Sequence, residues 1–199
     1  MAATSGSSLR ILTVTVSDTR KRFADEVGKR LDAELTGAGF TVVRHATVAD
    51  EPDHIRELVR STATGNAADA IVLSGGTGIN PRDQTFEALH SLYDKPIEGF
   101  GEALRRLAFD AMGPRAIYFR ASAGVFDQVP IFSIPGNAQA MLLALRQLIL
   151  PTLASAVEMA TGRETYTSGR ADRPSGADLS SQRDVNVALK PEGPPSSTR

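Results

Sequence analysis

The run Ser74-Gly75-Gly76-Thr77-Gly78-Ile79-Asn80-Pro81-Arg82-Asp83 constrains this chain more than any other stretch. Before it stands Asp69-Ala70-Ile71-Val72-Leu73, a short β-branched apolar run that predicts a buried strand. After it, residues 84–92 read as a helix. The loop is therefore expected at the carboxyl end of a strand, where open α/β sheets bind ligands. Glycines allow positive φ and close approach of the backbone to a ligand. Successive N–H groups can then form a concave anion nest, and a helix N-terminus adds partial positive charge. Ser74 and Thr77 offer hydroxyls. Asp83 is the odd member, because a carboxylate repels phosphate unless a cation stands between them; Mg²⁺ binds through one or two carboxylates plus substrate phosphates. The competing reading is structural: the glycines make a tight turn, and Asp83 or Thr85 caps the helix. No Gly-Lys-Ser/Thr follows the run, so it is not a Walker loop, and no G-x-G-x-x-G follows any strand, which argues against a nicotinamide oxidoreductase.

The rest of the chain supplies a frame for that loop. With 199 residues it can build one full core, and two would be cramped. A formal net charge of -1 gives no field for nucleic acid or an anionic membrane, so phosphate binding must be local. The absence of cysteine excludes disulfides, thiolate metal sites and a cysteine nucleophile, and is compatible with a cytoplasmic location. No apolar run approaches a membrane span by this reading, and the first one, residues 11–16, is too short for a signal-peptide core. The expected organisation is a flexible N-terminus over 1–9, one domain over 10–161, and a Ser/Gly/Pro-rich tail over 162–199. That tail buries too little apolar surface to offset its ordering entropy and reads as disordered, with residues 185–189 its only sticky patch.

Strands are predicted over residues 11–16, 40–48, 69–73, 116–121, 123–128 and 129–134. Helices are predicted over 23–38, 54–63, 84–92, 98–110 and 138–150, with Asp50 or Asp53 capping the second and Pro151 ending or kinking the last. Pro130 suggests an edge or first position for its strand. Strands alternating with helices give an α/β fold, a three-layer α/β/α sandwich with a mostly parallel sheet and room for an antiparallel edge. A second strand–glycine–helix corner is expected at Pro135-Gly136-Asn137. Asp18, Asp50 and Asp83 all stand at expected strand ends and converge on one edge if those strands are neighbours; each has a structural alternative as a cap. The basic run Arg20-Lys21-Arg22 is either a solvated loop or a phosphate contact.

These motifs occur in order along most of the chain: Val14-Thr15-Val16-Ser17-Asp18, Val48-Ala49-Asp50, the glycine loop, Pro96-Ile97-Glu98-Gly99-Phe100-Gly101-Glu102, Arg120-Ala121-Ser122-Ala123-Gly124-Val125 and Ile134-Pro135-Gly136-Asn137. Together they resemble the molybdopterin-binding family, the MoaB/Mog-type proteins of molybdenum cofactor biosynthesis. The resemblance implies a three-layer MoaB/Mog-like fold, usually assembled as a homotrimer or homohexamer. It implies adenylylation of molybdopterin by ATP with Mg²⁺, release of pyrophosphate, and hand-over to a downstream molybdate-insertion protein, with no nucleic acid or membrane involved. Carried onto this chain, Asp50 and Asp83 are the residues tied to activity and the expected Mg²⁺ ligands. Ser17, Asp18, Ser74, Gly75, Gly76, Thr77, Gly78, Arg82, Gly136 and Asn137 are the expected substrate- and phosphate-binding residues, with Arg82 either screening phosphate charge or pointing outward. The alternative is a molybdopterin carrier or regulatory protein of the same fold without turnover. Three departures bear on that choice. Asp25-Glu26-Val27-Gly28 stands where many relatives carry Asp-x-Ser-Gly, Phe119-Arg120 stands where relatives often carry Ser-Arg, and the long tail has no counterpart.

Overall fold

A computed structural model of the chain describes residues 9–17 and 25–163. Asp18, the basic run at 20–22 and the tail patch at 185–189 lie outside the described residues. In chain order the elements are β1 (Arg10–Val16), α1 (Glu26–Gly37), β2 (Thr41–Val48), α2 (Pro52–Thr64), β3 (Ala70–Ser74), α3 (Thr85–His90), β4 (Lys95–Pro96) and α4 (Glu98–Met112). A 3-10 turn (Pro114–Tyr118) follows, then β5 (Ser122–Phe126), β6 (Val129–Ile134), α5 (Ala138–Ala144), a π turn (Leu145–Ile149) and α6 (Leu150–Ala160).

The strands form one sheet in the order β2-β1-β3-β6-β5-β4. β2, β1, β3 and β6 are parallel, and β5 and β4 add an antiparallel edge. Side-chain alternation along the strands divides the core between the two faces. Ile11, Val72, Phe132 and Ile134 pack with Leu31 and Leu35 of α1, Leu104 of α4, Met141 of α5 and Leu153 of α6. Leu12, Val14, Ile71, Leu73 and Ile131 pack with Ile55 and Val59 of α2 and with Leu89 of α3. This is the expected three-layer α/β/α arrangement. One irregularity interrupts the β1–β2 ladder: Ile11 pairs with Val42 and Leu12 with Arg44, so Val43 has no partner on β1.

Several local expectations are corrected. Residues 116–121 are not a strand. Gly113 turns the chain with φ +82 and Pro114, whose φ is fixed near the helical value, starts a 3-10 turn. Ile117 and Tyr118 remain 58% and 49% exposed, so the apolar run that suggested a strand buries little. Neither Asp50 nor Asp53 caps α2; it starts from Glu51 with no side-chain cap and with Pro52 in its first turn, where a missing N–H costs nothing. Pro130 lies on an interior strand, but the pairing of β6 with β3 begins only at Ile131.

Pro151 does not end its helix. The π turn just before it widens the backbone, and α6 continues with the proline in its first turn. The result is a helical run, Ala138–Ala160, of 23 residues, which is long and apolar enough to cross a membrane by length and composition. That overturns the expectation of no such segment. The apolar content is explained by packing, since Met141, Leu145, Ile149 and Leu153 are all fully buried against the sheet cluster.

Candidate functional site

β1, β3 and β6 are adjacent and parallel, so their carboxyl ends open onto one edge. Ser17 leaves β1 there, the glycine loop leaves β3, and Pro135-Gly136-Asn137 leaves β6. Ser74 is buried beneath the loop, and its hydroxyl donates to the Pro135 carbonyl at 3.3 Å. Gly75 and Gly76 have φ of +115 and +63, a region that side chains disfavour. Space forbids a side chain as well. A Cβ on Gly75 would lie 2.2 Å from the Val16 carbonyl oxygen, and one on Gly76 would lie 2.1 Å from Thr85 Oγ1 and 2.5 Å from Asp50 Oδ2. The two corners touch: a Cβ on Gly136 would sit 3.2 Å from the Gly75 Cα.

Asp50 follows β2, two strands away from β3, yet it reaches the loop. Its Oδ1 accepts the Gln84 backbone N–H at 3.0 Å and lies 3.5 Å from the Thr85 hydroxyl. It therefore satisfies an amide at the start of α3, the task expected of Asp83 or Thr85; the residue before α3, Gln84, makes no side-chain cap. Asp83 instead folds back on its own loop. Its carboxylate accepts the Asn80 N–H at 3.1 Å, and its own N–H donates to the Asn80 carbonyl at 2.8 Å.

Two adjoining cavities occupy this edge. One, of about 260 Å³, is lined by Ser17, Asp50, Gly76, Asn80, Arg82 and Asp83 among others. The other, of about 330 Å³, is lined by Ser17, Gly75, Gly76, Thr77, Gly78, Asp83, Phe119, Gly136 and Asn137 among others. Val16, Ser17, Gly76 and Asp83 border both, so the two form one cleft. Every expected site residue within the described chain lines it except Ser74, which lies below. Arg82 is an exposed wall residue. The Asn137 side-chain amide oxygen, Oδ1, is engaged as the cap of α5, accepting the Ala140 N–H at 2.8 Å.

Among the described residues no group of three or more His, Cys, Asp and Glu gathers as a metal cage. Two carboxylates bordering a cleft with a glycine cup nonetheless fit Mg²⁺, which completes its shell with phosphate oxygens and water.

Three features escaped the sequence reading. Phe119 lines the cleft, although its stretch read as a strand. Arg120 makes a dense set of contacts to the back of the glycine loop. His45 of β2 sits between two carboxylates of α1 and its cap, with Nε2 3.3 Å from Asp25 Oδ2 and Nδ1 3.2 Å from Asp32. The Thr13 hydroxyl donates to Asp32 at 2.6 Å within the same group. The Asp32 hydrogen bond, with help from Asp25 and against burial, raises the His45 pKa. Burial acts to raise the Asp25 pKa, but hydrogen bonds from Thr15, the Gly28 N–H and His45 outweigh it and hold the carboxyl below its ordinary range. Gly28 makes room for this contact, since a Cβ there would lie 2.4 Å from the imidazole.

Comparison with known proteins places this geometry in context. Residues 5–155 match the family model described as a probable molybdopterin binding domain. Molybdenum cofactor biosynthesis protein B of Bacillus subtilis is 40% identical over 150 residues, spanning 75% of this chain and 88% of that protein. The Escherichia coli K12 protein of the same name is 36% identical over 144 residues, 72% of this chain and 85% of its own length. A crystal structure of molybdenum cofactor biosynthesis protein B superposes with a TM-score of 0.75 at 35% identity, covering 79% of this chain and 98% of that one. The Pyrococcus furiosus MoaB, described as synthesizing the tungsten cofactor, gives 0.67 at 28% identity, with 78% and 98% covered.

Proposed function

The chain belongs to the molybdopterin-binding family of molybdenum cofactor biosynthesis proteins, and on that footing we propose that it transfers an adenylyl group from ATP to molybdopterin. The terminal phosphate oxygen of molybdopterin attacks the α-phosphorus of ATP. A new P–O bond forms, the bond to the departing pyrophosphate breaks, and adenylyl-molybdopterin and pyrophosphate leave. Such a transfer needs alignment and charge neutralisation more than proton movement.

The observation that carries this reading is the meeting of carboxylates from two separate strand ends, Asp50 and Asp83, at one cleft with the glycine cup. Gly75, Gly76, Thr77 and Gly78 present the backbone to phosphate oxygens. Ser17 borders both parts of the cleft, and Gly136 and Asn137 wall the far side. Arg82, at the exposed rim, screens phosphate charge. Asp50 and Asp83 would hold Mg²⁺, which would neutralise charge on the two anionic reactants. The working form is a homotrimer or homohexamer that passes its product to a molybdate-insertion protein.

A carrier without turnover is the second reading, favoured by Val27 and Phe119. Val27 packs against the core cluster that includes Leu31 and Leu35, and it offers no hydroxyl to the site. Phe119 puts a phenyl ring in the cleft wall. Incubating the purified full chain with molybdopterin, ATP and Mg²⁺ decides between the two. Adenylylated pterin with stoichiometric pyrophosphate supports the transferase; pterin binding without product supports the carrier.

A further inference from the structure

Arg120 approaches the glycine loop from the residues just before β5. Its backbone N–H donates to the Thr77 carbonyl at 3.1 Å. Its Nε donates to the Gly78 carbonyl at 2.7 Å and its Nη2 to the Asp83 carbonyl at 2.9 Å. Both terminal nitrogens also meet the Glu87 carboxylate of α3, and the guanidinium lies over the Phe86 ring, 5.4 Å from its centroid. One residue thus holds three backbone carbonyls of the loop and ties them to α3.

Peptide planarity turns those bonds into a constraint on the opposite side. In a trans peptide the N–H points away from the carbonyl of the same unit. Fixing the Thr77, Gly78 and Asp83 carbonyls toward Arg120 therefore aims the N–H groups of Gly78, Ile79 and Gln84 away from it. The last of these shows the direction, since the Gln84 N–H meets the Asp50 carboxylate that lines the cleft. We propose that Arg120 is a positioning residue: it orients the peptide planes of the glycine loop so that the Gly78 and Ile79 N–H groups face the cleft and the Gln84 N–H holds Asp50, and it acts on the ligand through the loop. What those donors bind follows the adenylylation reading above; the orientation does not depend on it. Lysine cannot replace the residue, because a point charge cannot hold carbonyls at two positions as a planar fork does.

The test uses R120K and R120Q in the full chain, with E87Q as a milder variant should the others fold poorly. Hydrogen exchange at the amides of residues 78–84 should speed up by about tenfold or more while exchange in β3 stays unchanged. The KM for ATP should rise by about tenfold, with kcat at saturation within about threefold of the parent, the pattern of lost binding rather than lost chemistry. E87Q should move both in the same direction by less. Unchanged loop exchange, unchanged ligand affinity, or a fall in kcat at constant KM would overturn the proposal. If the parent protein binds molybdopterin but makes no product, the adenylylation reading fails on the parent alone. The Arg120 proposal is then decided by loop exchange and by molybdopterin affinity.

Discussion

Two strand–glycine–helix corners meet at the cleft, one after β3 and one after β6, and they are built differently. The corner after β6 carries its own helix cap, although its Pro135 carbonyl also accepts from Ser74. Asn137 caps the helix it begins, within three residues, and Gly136 is not among the described glycines with positive φ. The corner after β3 is assembled from a distance. Asp50 reaches the α3 N-terminus from 34 residues upstream, and Arg120 grips the loop from 42 residues downstream of Gly78. Gly75 and Gly76 both take positive φ, a region open to glycine and disfavoured for other residues. A corner whose helix is capped by the residue that begins it serves as a wall. A corner held by remote charges is complete only when the sheet is, so its donors and carboxylates are set by the whole fold.

Carboxylate substitutions separate the two corners most sharply. D83A should lower turnover by about two to three orders of magnitude, the scale for losing one group that stabilises transition-state charge, with little change in melting temperature. Steady-state pyrophosphate release beside a thermal melt measures both. D50N should lower turnover on a similar scale yet keep its stability, because the amide oxygen still accepts the Gln84 N–H. A loss of stability equal to that of D50A would show that the charge, not the hydrogen bond, holds α3.

Next come the glycines. G76A meets positive φ and a collision with Thr85 and Asp50, and should cost about 1–3 kcal/mol in urea unfolding along with most activity. G136A, 3.2 Å from backbone at an ordinary φ, should cost less. Equal penalties would erase the distinction between the corners. N137A should remove about 1 kcal/mol of stability, the usual worth of a side-chain cap.

The smallest effect is a pH dependence outside both corners. His45 has a raised pKa in the folded state, so its stabilising contribution is full below its unfolded value and lost as pH rises through the folded one. Asp25 is shifted down, so its contribution is present above the ordinary carboxylate value and lost as pH falls through the folded one. The stability difference between the parent and H45Q, followed by urea unfolding across pH, should therefore shrink toward alkaline pH. A difference that grows there would mean the imidazole is held neutral.

Most of the architecture was legible because each strand but β4 carried its own apolar run and each corner its own glycine. Residues 94–97 read as a turn, yet Lys95–Pro96 pairs with β5 as the antiparallel edge. The errors at the site share one source. Ile117, Tyr118 and Phe119 look like strand residues locally, but Gly113 and Pro114 had already turned the chain. Asp50 looked like a cap for the helix that follows it, and it caps α3 instead. Arg120 carried no local sign that its partners lay in a loop 42 residues earlier. Short-range patterns reveal which residues reach the sheet edge; partners brought by the sheet itself are not written in them.

The unpaired Val43 has a consequence for His45. Strand side chains switch faces at each step, so Val42 and Ala46 should share a side. They do not: Val42 packs with the α1 cluster, while Ala46 and Val48 pack with the α2 cluster. One supernumerary residue has inverted the strand halfway, and that inversion carries the imidazole to the carboxylates of α1 while delivering two apolar side chains to the opposite layer. Excising Val43 would undo both at once, leaving an imidazole among aliphatic neighbours and Asp25 and Asp32 without their ring partner.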